Sequence, residues 1–218
     1  MSATLEEWVR AVFDHPPAGP EWYWDTGFYV RWKSLGISDA LTVDYLTHLF
    51  LKSQELLKQY SLEQVAQGIW FLIGEASPAQ PSLILVKSDV GLRERIACVQ
   101  AMTHFFRDFV APAAPGPADA DRDPFHIACY MWWDIFPSWG GTQAGEPDIH
   151  RACLNVMAEV LTLPSELCQL SALHGLNHWR LHYAEVVEKI VDAFLANAGD
   201  ITPRMREYAS HARQGGCQ

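Results

Sequence analysis

Apolar positions recur at helical spacing along most of this chain, and residues suited to capping a helix stand before nearly every such run. Thr4-x-x-Glu7 has the form of a capping box, in which a hydroxyl and a carboxylate each accept a hydrogen bond from a first-turn amide that lacks a helical partner. It predicts a short helix to about Phe13, stopped by His15-Pro16-Pro17. Thr42 predicts a longer helix to about Gln59, with Val43, Leu46, Leu49, Phe50, Leu56 and Leu57 near one face. Ser61-x-x-Gln64 caps the next helix, through Ile73, and so short a connection makes the two antiparallel neighbours. Ser88 or Asp89 then begins a helix whose stripe of Leu92, Ile96, Val99, Met102, Phe106 and Phe109 lasts to about Val110.

Residues 111–123 are rich in Pro, Ala and Asp and read as a loop that divides the chain. Asp123-Pro124 joins an N-cap to a proline at the first helical position and launches a helix through Phe136. Residues 137–147 form a second loop, and segments near 149–162, 165–181, 184–197 and 203–213 follow, with Pro164, Gly199 and Thr202-Pro203 at the joints. Glu21 to Lys33 fits no single period: Trp22/Trp24 and Phe28/Val30/Trp32 alternate as in a strand, whereas Trp24, Phe28 and Trp32 stand at i, i+4, i+8. The expectation there is a short strand-like or irregular aromatic segment. The whole predicts one all-α domain over 1–218 of about eight helices: an N-terminal layer over 1–110, the Pro/Ala loop, and a C-terminal stack over 124–213. Its architecture is an irregular bundle or a HEAT-like antiparallel helix stack. No repeat of about 33 to 47 residues is legible.

The stretch Ser171-Ala-Leu-His-Gly-Leu-Asn-His-Trp179, followed by Val186-Val-Glu-Lys-Ile-Val-Asp-Ala-Phe-Leu195, resembles small bacterial proteins built of HEAT-like helix pairs, most of them without an assigned activity. The likeness covers residues 149–213, and it implies a stacked-helix scaffold whose surface binds another macromolecule. Small acidic helical proteins of this kind also look like immunity proteins that neutralise bacterial toxins.

Composition narrows the function classes. With 16 Lys+Arg against 26 Asp+Glu the net charge is −10, and basic residues gather only in pairs such as Arg93/Arg95 and Arg204/Arg206. A phosphate backbone would be repelled, so nucleic acid is not an expected ligand. No run approaches 18 apolar residues, so no membrane span is expected. The start lacks a basic stretch followed by an apolar one, as a secretory leader would have, and the five cysteines are spread singly through apolar runs. Reduced core thiols and a cytoplasmic location are the expectation. A 24.6 kDa chain should expose roughly 10,000 Å² when folded and bury about 70% of its surface, enough for a core without staples.

His174-x3-His178-x3-His182 is the most chemical pattern. Imidazoles at i and i+4 on one helix can reach the same cation, and neutral imidazole suits Zn and other transition metals. The metalloprotease form His-Glu-x-x-His is absent, because Gly175 follows His174. With Leu167 at zero and about 100° per residue, His174 falls near 340°, His178 near 20° and Leu181 near 320°. That places His174 and His178 on the apolar stripe as core histidines bonded to neighbouring helices, with His182 toward its edge. Gly175 beside them predicts a tight helix crossing.

The nine tryptophans are the other conspicuous feature. Trp132 and Trp133 point about 100° apart on a helix, so at least one should lie at an interface, under a loop or in a pocket. Trp22, Trp24, Trp132, Trp133 and Trp139 are the candidate partner-binding residues, since Trp and Tyr dominate interface hot spots. Rings beside carboxylates, as in Trp24/Asp25, also suit a stacked base, a sugar or a cation. Phosphate loops and nucleophile elbows are missing, and no catalytic residue or cofactor is assigned. The expected function is non-enzymatic: a protein-binding module, in its most concrete form an acidic inhibitor or immunity protein against a basic toxin. The alternative is a metal-dependent hydrolase using His174, His178 and His182 with a carboxylate from another helix.

Overall fold

Thr4 and Glu7 form the capping box the sequence predicts: the Thr4 hydroxyl accepts from the Glu7 amide at 3.3 Å, and the Glu7 carboxylate accepts from the Thr4 amide at 2.8 Å. They open α1 (Leu5–Phe13), which buries Trp8, Val9, Val12 and Phe13. The computed structural model describes residues 2–19, 21–74, 79, 81–86, 88–136, 146–197, 199 and 201–216. Among them there is no strand.

The aromatic segment expected to be strand-like is instead a 3-10 turn, Trp22–Trp24, and a helix α2 (Thr26–Ser34). The reason is local. Asp25 accepts from the Gly27 amide at 3.0 Å, a cap that starts a helix, and the i, i+4 pair Phe28 and Trp32 then meets one neighbour, Phe71, at 5.3 and 4.8 Å. The long helix expected over 42–59 is two: α3 (Asp39–Leu51) and α4 (Ser53–Leu57). Ser38 caps the first, while Thr42 sits one turn in and donates to the Ser38 carbonyl. Non-helical backbone at Lys52 ends it, so Leu57 reaches the core while Leu51 stays exposed.

Ser61 and Gln64 cap α5 (Leu62–Ile73) as predicted, and Gln64 also donates to the His15 carbonyl. After α6 (Leu83–Val86), α7 (Leu92–His104) begins behind Gly91, later than the expected Ser88 or Asp89. Ser88 spends its hydroxyl on a tight turn to the Val90 amide, and buried Arg95 clasps that turn by donating to the Val90 carbonyl and pairing with Glu146. A π-helical stretch, Phe105–Val110, carries α7 into α8 (Ala111–Ala113), so the dividing loop starts three residues late. Asp123 accepts from two amides to start α9 (Pro124–Tyr130), which breaks at Met131 before α10 (Trp132–Ile135). The C-terminal part comprises α11 (Pro147–Val160), α12 (Glu166–Asn197), bent at non-helical Tyr183, and α13 (Pro203–Gln214), closed by left-handed Gly215. Among the described residues there are therefore more helices than the eight expected: breaks at Lys52 and Met131 divide runs whose apolar spacing is continuous in sequence, and α2, α6 and α8 form where no helix was expected.

The chain exposes 10664 Å², close to the area expected from its mass. α3 packs on α7, α7 on α11, α11 on α12 and α12 on α13, while α9 and α10 lie between α5 and α12. No helix among the described residues is long and apolar enough to cross a membrane.

The crossing of α10 and α12 is as tight as the helical glycine implies. A Cβ on Gly175 would stand 2.5 Å from Trp133 Cβ and 2.8 Å from Met157 Sδ. Gly175→Ala should therefore destabilise the protein by about 2 kcal/mol, even though alanine gains about 1 kcal/mol in helix propensity. Gly199→Ala, which meets nothing within 4 Å, should leave the urea midpoint nearly unchanged. Equal midpoints for the two variants would contradict the close crossing.

Candidate functional site

The five tryptophans proposed as partner contacts have different fates. Trp132 is 1% exposed and packs on Phe50, Phe105 and Phe106, while Trp133 is 0% exposed and lies parallel to Phe106. Of the three places expected for at least one of this pair, at an interface, under a loop or in a pocket, an open surface is not the one either ring takes. Their short helix packs on α5, α9 and α12, and the rings reach Phe105 and Phe106 of the π-helical stretch, so two directions 100° apart both point into protein. Trp22 is half-buried, stacked on His15 at 4.0 Å. Trp139 lies outside the described residues.

Trp24 remains, 53% exposed. It lines a surface depression of about 440 Å³ together with Tyr23, Trp70, Glu21, Gln67 and Ile127. The 3-10 turn presents Glu21, Tyr23 and Trp24, and α5 supplies Gln67 and Trp70 one turn apart. Burial, and after it the negative charge of Glu21, pushes the Tyr23 phenol up to about 12, so the ring stays neutral and the charge in the depression is that of Glu21. Glu21 pairs with no cationic side chain among the described residues. Two indoles beside a carboxylate are groups whose chemistry suits an organic cation. Comparison with family models, curated proteins and solved structures gives no match.

The histidine pattern divides as the angular count implies, with one addition. His174 is buried, His178 is half-buried, and His182 is exposed beyond the end of the stripe. Leu181, counted on the same stripe, is 79% exposed, because the bend at Tyr183 ends the packed face just before it. His174 Nδ1 lies 3.2 Å from the Tyr208 hydroxyl, itself 2.7 Å from the Tyr130 hydroxyl, and the imidazole stacks on the Tyr130 ring at 4.1 Å. The sequence pattern misses Asp134 of α10, whose Oδ1 comes 3.6 Å from His178 Nε2. It is forty residues before His174, and only the packing of α10 on α12 joins them. Burial, then His178, pull the His174 pKa down to about 4 against the opposing pull of Asp134.

The described cysteines, Cys98, Cys129, Cys153 and Cys168, are all free and buried. Desolvation pushes Cys98 up to about 12 and Cys168 up to about 11, so neither is a thiolate nucleophile. Cys217 and the Gly140-Gly141 turn lie outside the described residues. Trp70 and Glu21 were not among the sequence candidates; Trp70 carries no local signal, because only the packing of α5 brings it to Trp24.

Proposed function

We propose that this chain is a non-enzymatic protein-binding module that holds a lysine or arginine of a basic protein partner in the Trp24–Trp70 depression. The observation that carries the reading is Glu21, in no ion pair among the described residues, at a depression lined by Trp24, Trp70 and Tyr23 together with Ala66, Gln67, Pro124 and Ile127. An aromatic pocket with one carboxylate favours a desolvated guanidinium or ammonium by about 1–2 kcal/mol over a neutral side chain. The overall charge of −10 supports the same partner, since it would steer a basic protein toward the chain and speed encounter. An inhibitor or immunity protein acting on a basic toxin is the form most consistent with that steering. Consecutive packing of α11, α12 and α13 supports a HEAT-like scaffold behind it.

Titration with an oligo-arginine peptide, followed by calorimetry, tests the pocket. Binding is expected to weaken about tenfold in Trp24→Ala and in Glu21→Gln, equivalent to the loss of about 1.4 kcal/mol. Trp24→Phe should retain most of it, and Glu207→Gln, an exposed acid on α13, should change it less than about twofold. If all four variants bind the peptide as the parent does, the attraction is diffuse charge and the pocket reading fails.

A further inference from the structure

We propose that Asp134, His174 and His178 form a binding site for one zinc ion, bridging α10 to α12. The three side chains each offer a ligand atom, and these atoms lie within 4.8 Å of one another. Two imidazole nitrogens and one carboxylate oxygen are a donor set for zinc rather than for magnesium or calcium, which favour all-oxygen shells.

Two further observations converge on the site. His174 is 6% exposed, and its Nε2 is buried without a hydrogen-bond partner. A buried ring nitrogen left unsatisfied is costly, and where it carries the lone pair a cation satisfies it. The second nitrogen of the same ring is occupied: Nδ1 faces the Tyr208 hydroxyl, which bonds the Tyr130 hydroxyl. When Nδ1–H donates to that oxygen, the tautomer is fixed with the Nε2 lone pair directed away from the tyrosines, the arrangement that orients most metal-bound histidines.

The geometry leaves the site reachable. The His178 and Asp134 side chains keep 31% and 22% of their surface exposed, so an ion can enter from that side and retain a water as its fourth ligand. Nitrogen and oxygen ligands about 2.0–2.1 Å from a tetrahedral zinc stand about 3.3 Å from one another, so the 3.6 Å between His178 Nε2 and Asp134 Oδ1 closes by a small side-chain rotation. His182 lies outside the cluster, which separates this site from the three-histidine pattern legible in the sequence. The zinc site and the Trp24 depression share no residue, and neither proposal rests on the other.

The test uses the full chain, without an affinity tag and stripped with chelator, titrated with zinc chloride by calorimetry and with cobalt chloride by visible d–d absorption. One saturable ion per chain is expected, with zinc raising the melting temperature of the parent protein by mass action. His178→Ala and Asp134→Asn, both at half-buried positions, should each weaken zinc about 100-fold and abolish the thermal shift, and His182→Ala should change neither. Circular dichroism confirms that the variants fold, and the milder His178→Gln replaces any that does not. The proposal is overturned if the stripped protein takes up no saturable zinc, or if the affinity survives both Asp134→Asn and His178→Ala.

Discussion

Trp133→Ala is expected to cost about 3–5 kcal/mol, a large part of the roughly 5–15 kcal/mol by which a domain of this kind is stable. The ring is completely buried, lying parallel to Phe106 at 6.4 Å and against Phe136 at 6.2 Å, with the bare backbone of Gly175 over its Cβ. The cost of a large-to-small change depends on how far the neighbours collapse into the space. Here one wall has no side chain to move inward, and others are aromatic rings held by their own stacking, so the value should fall toward the upper end of the range. Trp24→Ala, at an exposed ring, should stay within about 0.5 kcal/mol of the parent. Urea unfolding followed by circular dichroism, compared at equal slope, measures both. A loss below about 1 kcal/mol for Trp133→Ala would mean that α10 is not the centre of the core.

Acid should weaken the fold well above the pH at which carboxylates protonate. His174 titrates from an ordinary 6.5 in the unfolded chain and near 4 in the folded one, so between those values the unfolded chain binds the additional proton. Stability therefore rises with pH across that window, is complete above about 6.5, and is lost as the pH falls toward 4. The difference corresponds to about 3 kcal/mol. Buried His150, whose pKa is lowered first by desolvation and then by His182, acts in the same direction. The groups facing His174 are His178 and Asp134 on one side and Tyr130 and Tyr208 on the other; of these Asp134 alone favours its protonation. Asp25, Asp108 and Asp192 are held low, by the Gly27 amide, Arg107 and Arg213 respectively, so their contribution is lost only at more acid pH. Unfolding free energies measured in chelator from neutrality to about pH 4.5 should show the decline, and NMR titration of the His174 ring should give a midpoint near 4. A ring that protonates near 6.5 would remove both the decline and its cause.

What the sequence made legible was the local chemistry. The capping pairs Thr4/Glu7 and Ser61/Gln64 and the Asp123-Pro124 start are correct because each is a hydrogen bond closed within four residues. Ser88 shows the limit of the same logic, since one hydroxyl serves equally for a turn or a helix and only the Arg95 clasp settles which. Over Glu21 to Lys33 the alternating pattern competed with the i, i+4 pattern, and the partner that decided it, Phe71, stands on another helix. The burial of both Trp132 and Trp133 is illegible for a related reason: a helix has an outward face only if its neighbours leave one, and a periodicity cannot count neighbours. Candidate chemistry divides along the same line. The inward placement of His174 and His178 follows from their angle on α12, whereas Asp134 and the meeting of Trp24 with Trp70 depend on contacts between distant segments.

The bend at Tyr183 also bears on how this chain tolerates changes in length. In an unbroken helix, adding one residue rotates everything after it by about 100° and turns a buried face outward. At Tyr183 the backbone is already non-helical, and the surroundings hold the joint from outside: the Tyr183 hydroxyl lies against His150 Nδ1, and Arg180 donates to the Arg213 carbonyl and, across the bend, to Glu188. An insertion at the joint can be absorbed by the irregular backbone, with the arm that carries His174 and the arm that carries Val187, Val191 and Phe194 each keeping its own buried side. The joint is thus the place along α12 where an inserted residue would least re-face either half.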